Sequence, residues 1–214
     1  MWPIVDSEKP EDKKLLLQMS NLVTLISFHK DMFEHILKLN LLKFILKICQ
    51  EKYENEIRSN AVLAISLLTY NEKLFDEIID KGVIDFIMEL CRDPNQELQV
   101  RKYSTLALVH FALSKKSIKI LIEKGVLDLF DKFGRDDQEE QMDVSIQTNV
   151  SWIFLALCNN GITGNQMLVK GITRDMFLVS CNPDKEQIRH LVITGFAELG
   201  KSRDKHNELD NFTQ

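Results

Sequence analysis

Two short phrases recur along this chain at a locked spacing, and the lock restricts the fold more than any other feature. The first phrase is Lys81-Gly82-Val83-Ile84, Lys124-Gly125-Val126-Leu127 and Lys170-Gly171-Ile172-Thr173, with Leu39-Asn40-Leu41-Leu42 as a version lacking glycine. Glycine takes positive φ without strain, and asparagine tolerates it better than most residues. The four positions therefore read as one helix-ending corner, repeated. The second phrase places apolar or small residues at offsets 0, 4, 7, 8 and 11, as in Ile57, Ala61, Ala64, Ile65 and Leu68. The same offsets give Leu15 to Ile26, Val100 to Phe111, Ile146 to Leu157 and Ile188 to Leu199. At roughly 100° per residue they span about 100° of arc, one stripe of a buried helix. From offset 0 to the corner is 25 residues in each complete copy: Leu15 to Asn40, Ile57 to Gly82, Val100 to Gly125, Ile146 to Gly171.

A unit of this kind reads as a short helix, a corner, a medium helix, a link and a long helix. Pro94 and Pro183 each fall 12 residues after their glycine, where the next long helix is about to begin, and proline suits a helix start or the link before it. The chain holds only 8 Gly and 4 Pro in 214 residues. That is too few for the turn every 8–12 residues or so that a β-sandwich or barrel requires. The expected fold class is all-α: stacked helical units, four nearly complete, closed by one further long helix. A unit of 42 to 46 residues cannot bury its apolar stripe alone, so neighbouring units must stack.

The pattern resembles the armadillo repeat. The resemblance rests on the period, the glycine between the first and second helices, and the small-then-leucine third helix Ala61-Val62-Leu63-Ala64-Ile65-Ser66-Leu67-Leu68. It covers residues 13–200. HEAT repeats share the period but have two helices and no glycine corner. The resemblance implies a right-handed α-solenoid whose third helices line a concave groove, and an activity of binding proteins or peptides. The domain organisation expected is an N-terminal segment over 1–12, the repeat domain over 13–200, and a polar, disordered tail over 201–214.

On each third helix the face beside the stripe is offsets 3, 6 and 10. The expected partner-binding groove is Asn60, Leu63, Leu67, Tyr103, Leu106, His110, Asn149 and Trp152. Peptide-binding members of the family commonly place asparagine at offset 10; here that offset holds Leu25, Leu67, His110, Ala156 and Glu198. Tryptophan at offset 6 occurs once, at Trp152. Recognition of a nuclear-localisation signal is therefore not supported, and the leucines suit the apolar face of a partner helix.

Chemistry-bearing motifs are missing. The sequence has no GxSxG, HExxH, GxxxxGK[ST] or GxGxxG. The five histidines are scattered, and Cys49, Cys91 and Cys181 recur at equivalent repeat positions, where core filling explains them better than zinc. No catalytic residue, metal or cofactor is expected. Lys plus Arg is 27 against 32 Asp plus Glu, a net charge of -5, which disfavours a nucleic-acid face. No apolar run is long enough for a membrane span, and no signal peptide is visible in Met1–Glu11. The free-standing cysteines fit a reducing, cytoplasmic setting, with nuclear or cytoskeletal association left open.

The resulting expectation is a non-enzymatic, protein-binding adaptor or scaffold that engages a partner segment through its groove. Two alternatives stand beside it. One is an armadillo-type nucleotide-exchange factor of a chaperone. The other is a dedicated structural subunit of a cytoskeletal or ciliary complex, assembled through the solenoid ends. Trp2, Ile4 and Val5 are candidates either to cap the first repeat or to insert into a partner. Asp136, Asp137, Glu139, Glu140 and Asp143 form an acidic link read as solvated, with its acids favouring the next helix N-terminus; the alternative is a docking spot for a basic partner. Arg58, Arg101 and Arg189 share offset 1, either as a basic ladder or as stems covering apolar surface.

Overall fold

Among the described residues, positive φ falls at the four corner positions: Asn40 at 55°, Gly82 at 72°, Gly125 at 80° and Gly171 at 73°. The computed structural model describes residues 10–50, 52–71, 74–93, 95–134, 143–160, 167, 171–172, 176–177 and 185–212. Trp2, Ile4, Val5, Pro94, Pro183, Cys181 and the acids at 136–140 lie outside the described residues.

The helices run as the repeat requires. They are α1 (Pro10–Ser27), α2 (Phe33–Lys38), α3 (Leu41–Ile48), α4 (Asn55–Leu68), α5 (Phe75–Asp80) and α6 (Val83–Arg92). These are followed by α7 (Leu98–Leu113), α8 (Lys115–Glu123), α9 (Leu127–Gly134), α10 (Val144–Cys158) and a last helix, α11 (Glu186–Phe212). A short 3-10 turn, Lys30–Met32, precedes α2. At Gly82 the chain leaves α5 through a bond from the Gly82 amide to the Ile79 carbonyl (2.9 Å) and enters α6 at once. A side chain there would meet nothing within 4 Å, so conformation rather than space calls for glycine.

The chain divides into two compact units, Met1–His110 and Phe111–Gln214. In the first, α1 lies against α4, and α3 also packs on α4. Its core includes the fully buried Ile36, Phe44, Ile48, Ile57 and Ile65. In the second, α10 lies against α11. There Phe154 meets Phe130 (centroids 6.5 Å) and Phe196 (5.5 Å) edge to face. Gly195 permits this approach, since a Cβ there would stand 2.7 Å from Phe154 Cε1. Asp143 caps α10, its Oδ1 accepting from the Ser145 amide at 2.9 Å.

The stripe is buried at all five offsets in α4, α7 and α10. The first copy departs from this: Leu15 is 46% and Leu22 55% exposed. The physical reason is position. The helices that pack on α1, which are α3 and α4, leave that face uncovered. A second departure concerns the polar tail. Helix α11 continues to Phe212, through residues read from the sequence as disordered. No glycine or proline follows Gly200 in that stretch, and its Lys, Arg, Glu and Leu are good helix formers. No described helix is long and apolar enough to cross a membrane.

Arg58 is buried rather than part of a surface ladder. Its Nε donates to the Cys49 carbonyl (3.3 Å) at the end of α3, one terminal nitrogen to Asn55 Oδ1 (3.4 Å), and the other to Gln96 Oε1. Gln96 Nε2 in turn donates to Asp93 Oδ2 at 2.5 Å. The guanidinium thus reaches its carboxylate through a neutral amide, a bridge between the repeats that carry α4 and α7.

Candidate third-helix binding surface

In the first unit the surface is built from α1, α4 and α7. Offsets 3, 6 and 10 face beside the stripe on each, and that stripe is buried in α4 and α7. Asn60, Leu63, Leu67, Tyr103, Leu106 and His110 are all half-buried, which matches neither core nor outer face. In α1 the equivalents Gln18, Asn21 and Leu25 are exposed. One turn further on, offset 13 carries Phe28 and Tyr70, and Tyr70 is 61% exposed.

The upper part of this surface is polar and tightly bonded. Asn60 Nδ2 donates to Asn21 Oδ1 (2.7 Å) and to Ser20 Oγ (3.2 Å). Thr24 Oγ1 donates to the Asn60 carbonyl (2.8 Å) as well as to that of Ser20 (3.0 Å). Ser20 and Thr24 are buried in the seam between α1 and α4, so they fix where the Asn60 side chain stands.

The lower part is aromatic. His110 Nδ1 lies 2.7 Å from the Ser66 carbonyl and 3.3 Å from Thr69 Oγ1. Thr69 Oγ1 gives its own proton to the Ser66 carbonyl (2.7 Å). A carbonyl only accepts, so Nδ1 carries the hydrogen of the neutral ring and Nε2 is left as an acceptor. Burial pulls the His110 pKa below its ordinary 6.5, and the Ser66 bond offsets this only in part. Tyr70 meets the imidazole edge to face (5.3 Å), and Lys30 Nζ sits 5.1 Å above the Tyr70 ring.

Two expected groove residues belong to the second unit. Trp152 is 37% exposed on α10, and Asn149 is half-buried one turn earlier. Ala156, at offset 10 of α10, is buried. The structure thus joins Asn60 to Asn21, and His110 to the end of α4. Sequence reasoning missed Ser20, Thr24, Tyr70 and Lys30 as parts of the surface. The small polar residues at offsets 5 and 9 of the first helix were the available signal for the seam. Nothing in the spacing marks the Lys30–Tyr70 stack.

The cysteines among the described residues lie in the core rather than on this surface. Cys49, Cys91 and Cys158 are buried free thiols. Desolvation pushes Cys91 and Cys158 up to about 12 and raises Cys49 as well.

No protein-family model matches this chain, and neither does any curated protein. Solved structures do match. A computationally designed armadillo repeat protein for modular peptide recognition is 17% identical, covering 92% of this chain and 79% of its own, with a TM-score of 0.76. The designed armadillo repeat protein YIII(Dq.V1)4CPAF, solved in complex with the peptide (KR)4, is 16% identical, covering 97% and 87%, with a TM-score of 0.75. A third, YIII(Dq)4CqI, is 18% identical over 92% and 79%, with a TM-score of 0.74. This chain has the armadillo-repeat fold.

Proposed function

We propose that this protein is a non-catalytic adaptor that holds a peptide segment of a partner protein on the third-helix surface of α1, α4 and α7. The observation that carries the reading is the mixed character of that surface. Large apolar side chains stay in water at Leu25, Phe28 and Tyr70, beside the half-buried Leu63, Leu67 and Leu106. The same helices present polar groups at Gln18, Asn21, Asn60 and Tyr103. Exposed apolar surface edged by polar groups is what a protein-binding site presents. A designed relative in fold holds the peptide (KR)4, which supports segment binding as a use of this architecture. None of these surface positions in α1, α4 or α7 is a carboxylate, so the favoured segment is apolar rather than a run of cations. Asn149 and Trp152 offer a second contact surface on α10. Unpaired buried thiols fit a reducing compartment such as the cytoplasm.

The test is selection of binders from a random linear-peptide library on the full chain, followed by Leu67→Asp. A charge placed among the leucines should weaken selected peptides by tenfold or more, since it costs a few kcal/mol to desolvate unpaired. Selected peptides that bind Leu67→Asp as tightly as the wild type would refute the site.

A further inference from the structure

We propose that α1 pairs antiparallel with the α1 of a second copy of this chain, about a two-fold axis between Met19 and Leu22. The face it uses is the stripe of α1, distinct from offsets 3, 6 and 10, so the pairing stands apart from segment binding.

Offsets 0, 4, 7 and 11 of α1 are Leu15, Met19, Leu22 and Ile26. Leu15 and Leu22 are exposed, and Met19 and Ile26 are half-buried. The same offsets of α4 are buried. Helices α3 and α4 pack on α1 and leave this face open. Steps of four, three and four residues make the seam of a two-stranded coiled coil, where each such side chain fits between residues of a facing helix. The seam continues in step at both ends. Asp12 lies three residues before Leu15, in the first turn of α1, and His29 lies three after Ile26. His29 is exposed and held to the end of the helix by its amide, which donates to the Ile26 carbonyl at 3.0 Å.

These steps read the same in both directions. A second α1 laid antiparallel therefore sets Met19 against Leu22, Leu15 against Ile26, and Asp12 against His29, each pair formed twice. Laid parallel, the same seam brings Asp12 to Asp12 and His29 to His29. Antiparallel pairing also places the positive N-terminal end of each helix dipole beside the negative C-terminal end of the other. Gln18 and Leu25, on the outer flank of the seam, carry no charge to oppose the approach. A face that is its own complement closes a two-fold dimer. A foreign helix would need the same apolar spacing with an acid and a base in this register, and the chain's own α1 already has them. One helix pair buries less than the about 800 Å² per partner of a standard interface, so the dimer is weak, with a dissociation constant in the micromolar range.

The test is sedimentation equilibrium of the full chain from about 1 μM to about 1 mM, which should show a reversible monomer–dimer equilibrium. Leu22→Asp places a carboxylate in the seam twice per dimer and should raise the dissociation constant at least about a hundredfold. Leu22 is exposed in the single copy, so the circular dichroism and unfolding temperature of the variant should stay those of the wild type. Leu39→Asp, at an exposed leucine outside α1, should dimerise as the wild type does. Direction is read from disulfides, with the wild type as blank. Oxidising a mixture of Leu15→Cys and Ile26→Cys copies should link one to the other. Leu15→Cys alone should not link to itself, because the two copies of position 15 stand about 16 Å apart along the seam, beyond disulfide reach. The proposal is overturned if the full chain stays monomeric over the whole range, the result expected where another segment of the chain or a foreign helix covers the face. It is equally overturned if Leu22→Asp dimerises as the wild type does, or if Leu15→Cys links to itself and not to Ile26→Cys.

Discussion

The Nδ1 atom of His110 donates to the backbone carbonyl of Ser66 at 2.7 Å, tying the end of α7 to the end of α4. The bond holds the ring in one tautomer, and burial holds its pKa below 6.5. The consequence for stability has a definite sign. Below 6.5 the unfolded chain takes up a proton that the folded chain resists, so stability falls as the pH drops from 6.5 through the folded value and is unaffected above it. The stability difference between wild type and His110→Gln, from urea unfolding, should therefore shrink between about pH 7.5 and about pH 5. A difference that stays constant over that range would show that His110 is not held neutral.

Glycine is needed at two places for different reasons, and substitution should separate them. At Gly82 the backbone has φ of 72° in open space. Gly82→Ala should cost about 1–2 kcal/mol, and Gly82→Asn less, because Asn40 already holds the same corner with φ of 55°. At Gly195 the backbone is an ordinary helix, but a Cβ would collide with the Phe154 ring at 2.7 Å. Gly195→Ala should cost about 1–3 kcal/mol through overpacking, even though alanine is the better helix former. Denaturant midpoints of the three variants check the order.

The Arg58 bridge should behave as a buried polar network. Gln96→Leu removes the acceptor of one guanidinium nitrogen and breaks the relay to Asp93. A loss of about 1–3 kcal/mol is expected from the stranded group. Arg58→Met in the Gln96→Leu background should recover part of it. Additive losses in the double variant would contradict a coupled network.

Cys49, Cys91 and Cys158 should resist alkylation in the folded protein at about pH 8, because burial keeps the thiolate fraction low. Iodoacetamide labelling followed by site-resolved mass spectrometry should find these three unmodified until denaturant is added. Rapid labelling of any of them in the native chain would mean that the core opens more easily than its packing implies.

How much of this was legible in the sequence depended on which physical rule was at work. The corners at Asn40, Gly82, Gly125 and Gly171 were readable because a positive φ restricts residue type locally, and a repeated restriction shows up as spacing. The buried stripe of α4, α7 and α10 was readable for the same reason. Leu15 and Leu22 of α1 follow the same periodicity yet stand exposed, since periodicity identifies a face but not whether a neighbour covers it. Arg58 was ambiguous because offset 1 borders the stripe, and only the positions of Cys49 and Gln96 decide that it is buried. Of the expected groove, Asn60 and His110 proved to be embedded in bonding that no spacing encodes. Their partners Asn21, Ser66 and Thr69 lie on neighbouring helices or turns some 40 positions away, and reach them only through the side-by-side placement of the repeats.

The central claim is that a partner segment lies on the α1–α4–α7 surface. It is tested most directly by site-specific photo-crosslinking in extracts of the protein's own source. A photoreactive residue is placed at position 67, within the surface, and in a parallel sample at position 43, an exposed site on α3. Position 67 should give adducts that map to one contiguous segment of a partner, while position 43 gives none above background. Adducts from position 43 but not from 67, or equal and scattered adducts from both, would contradict the account.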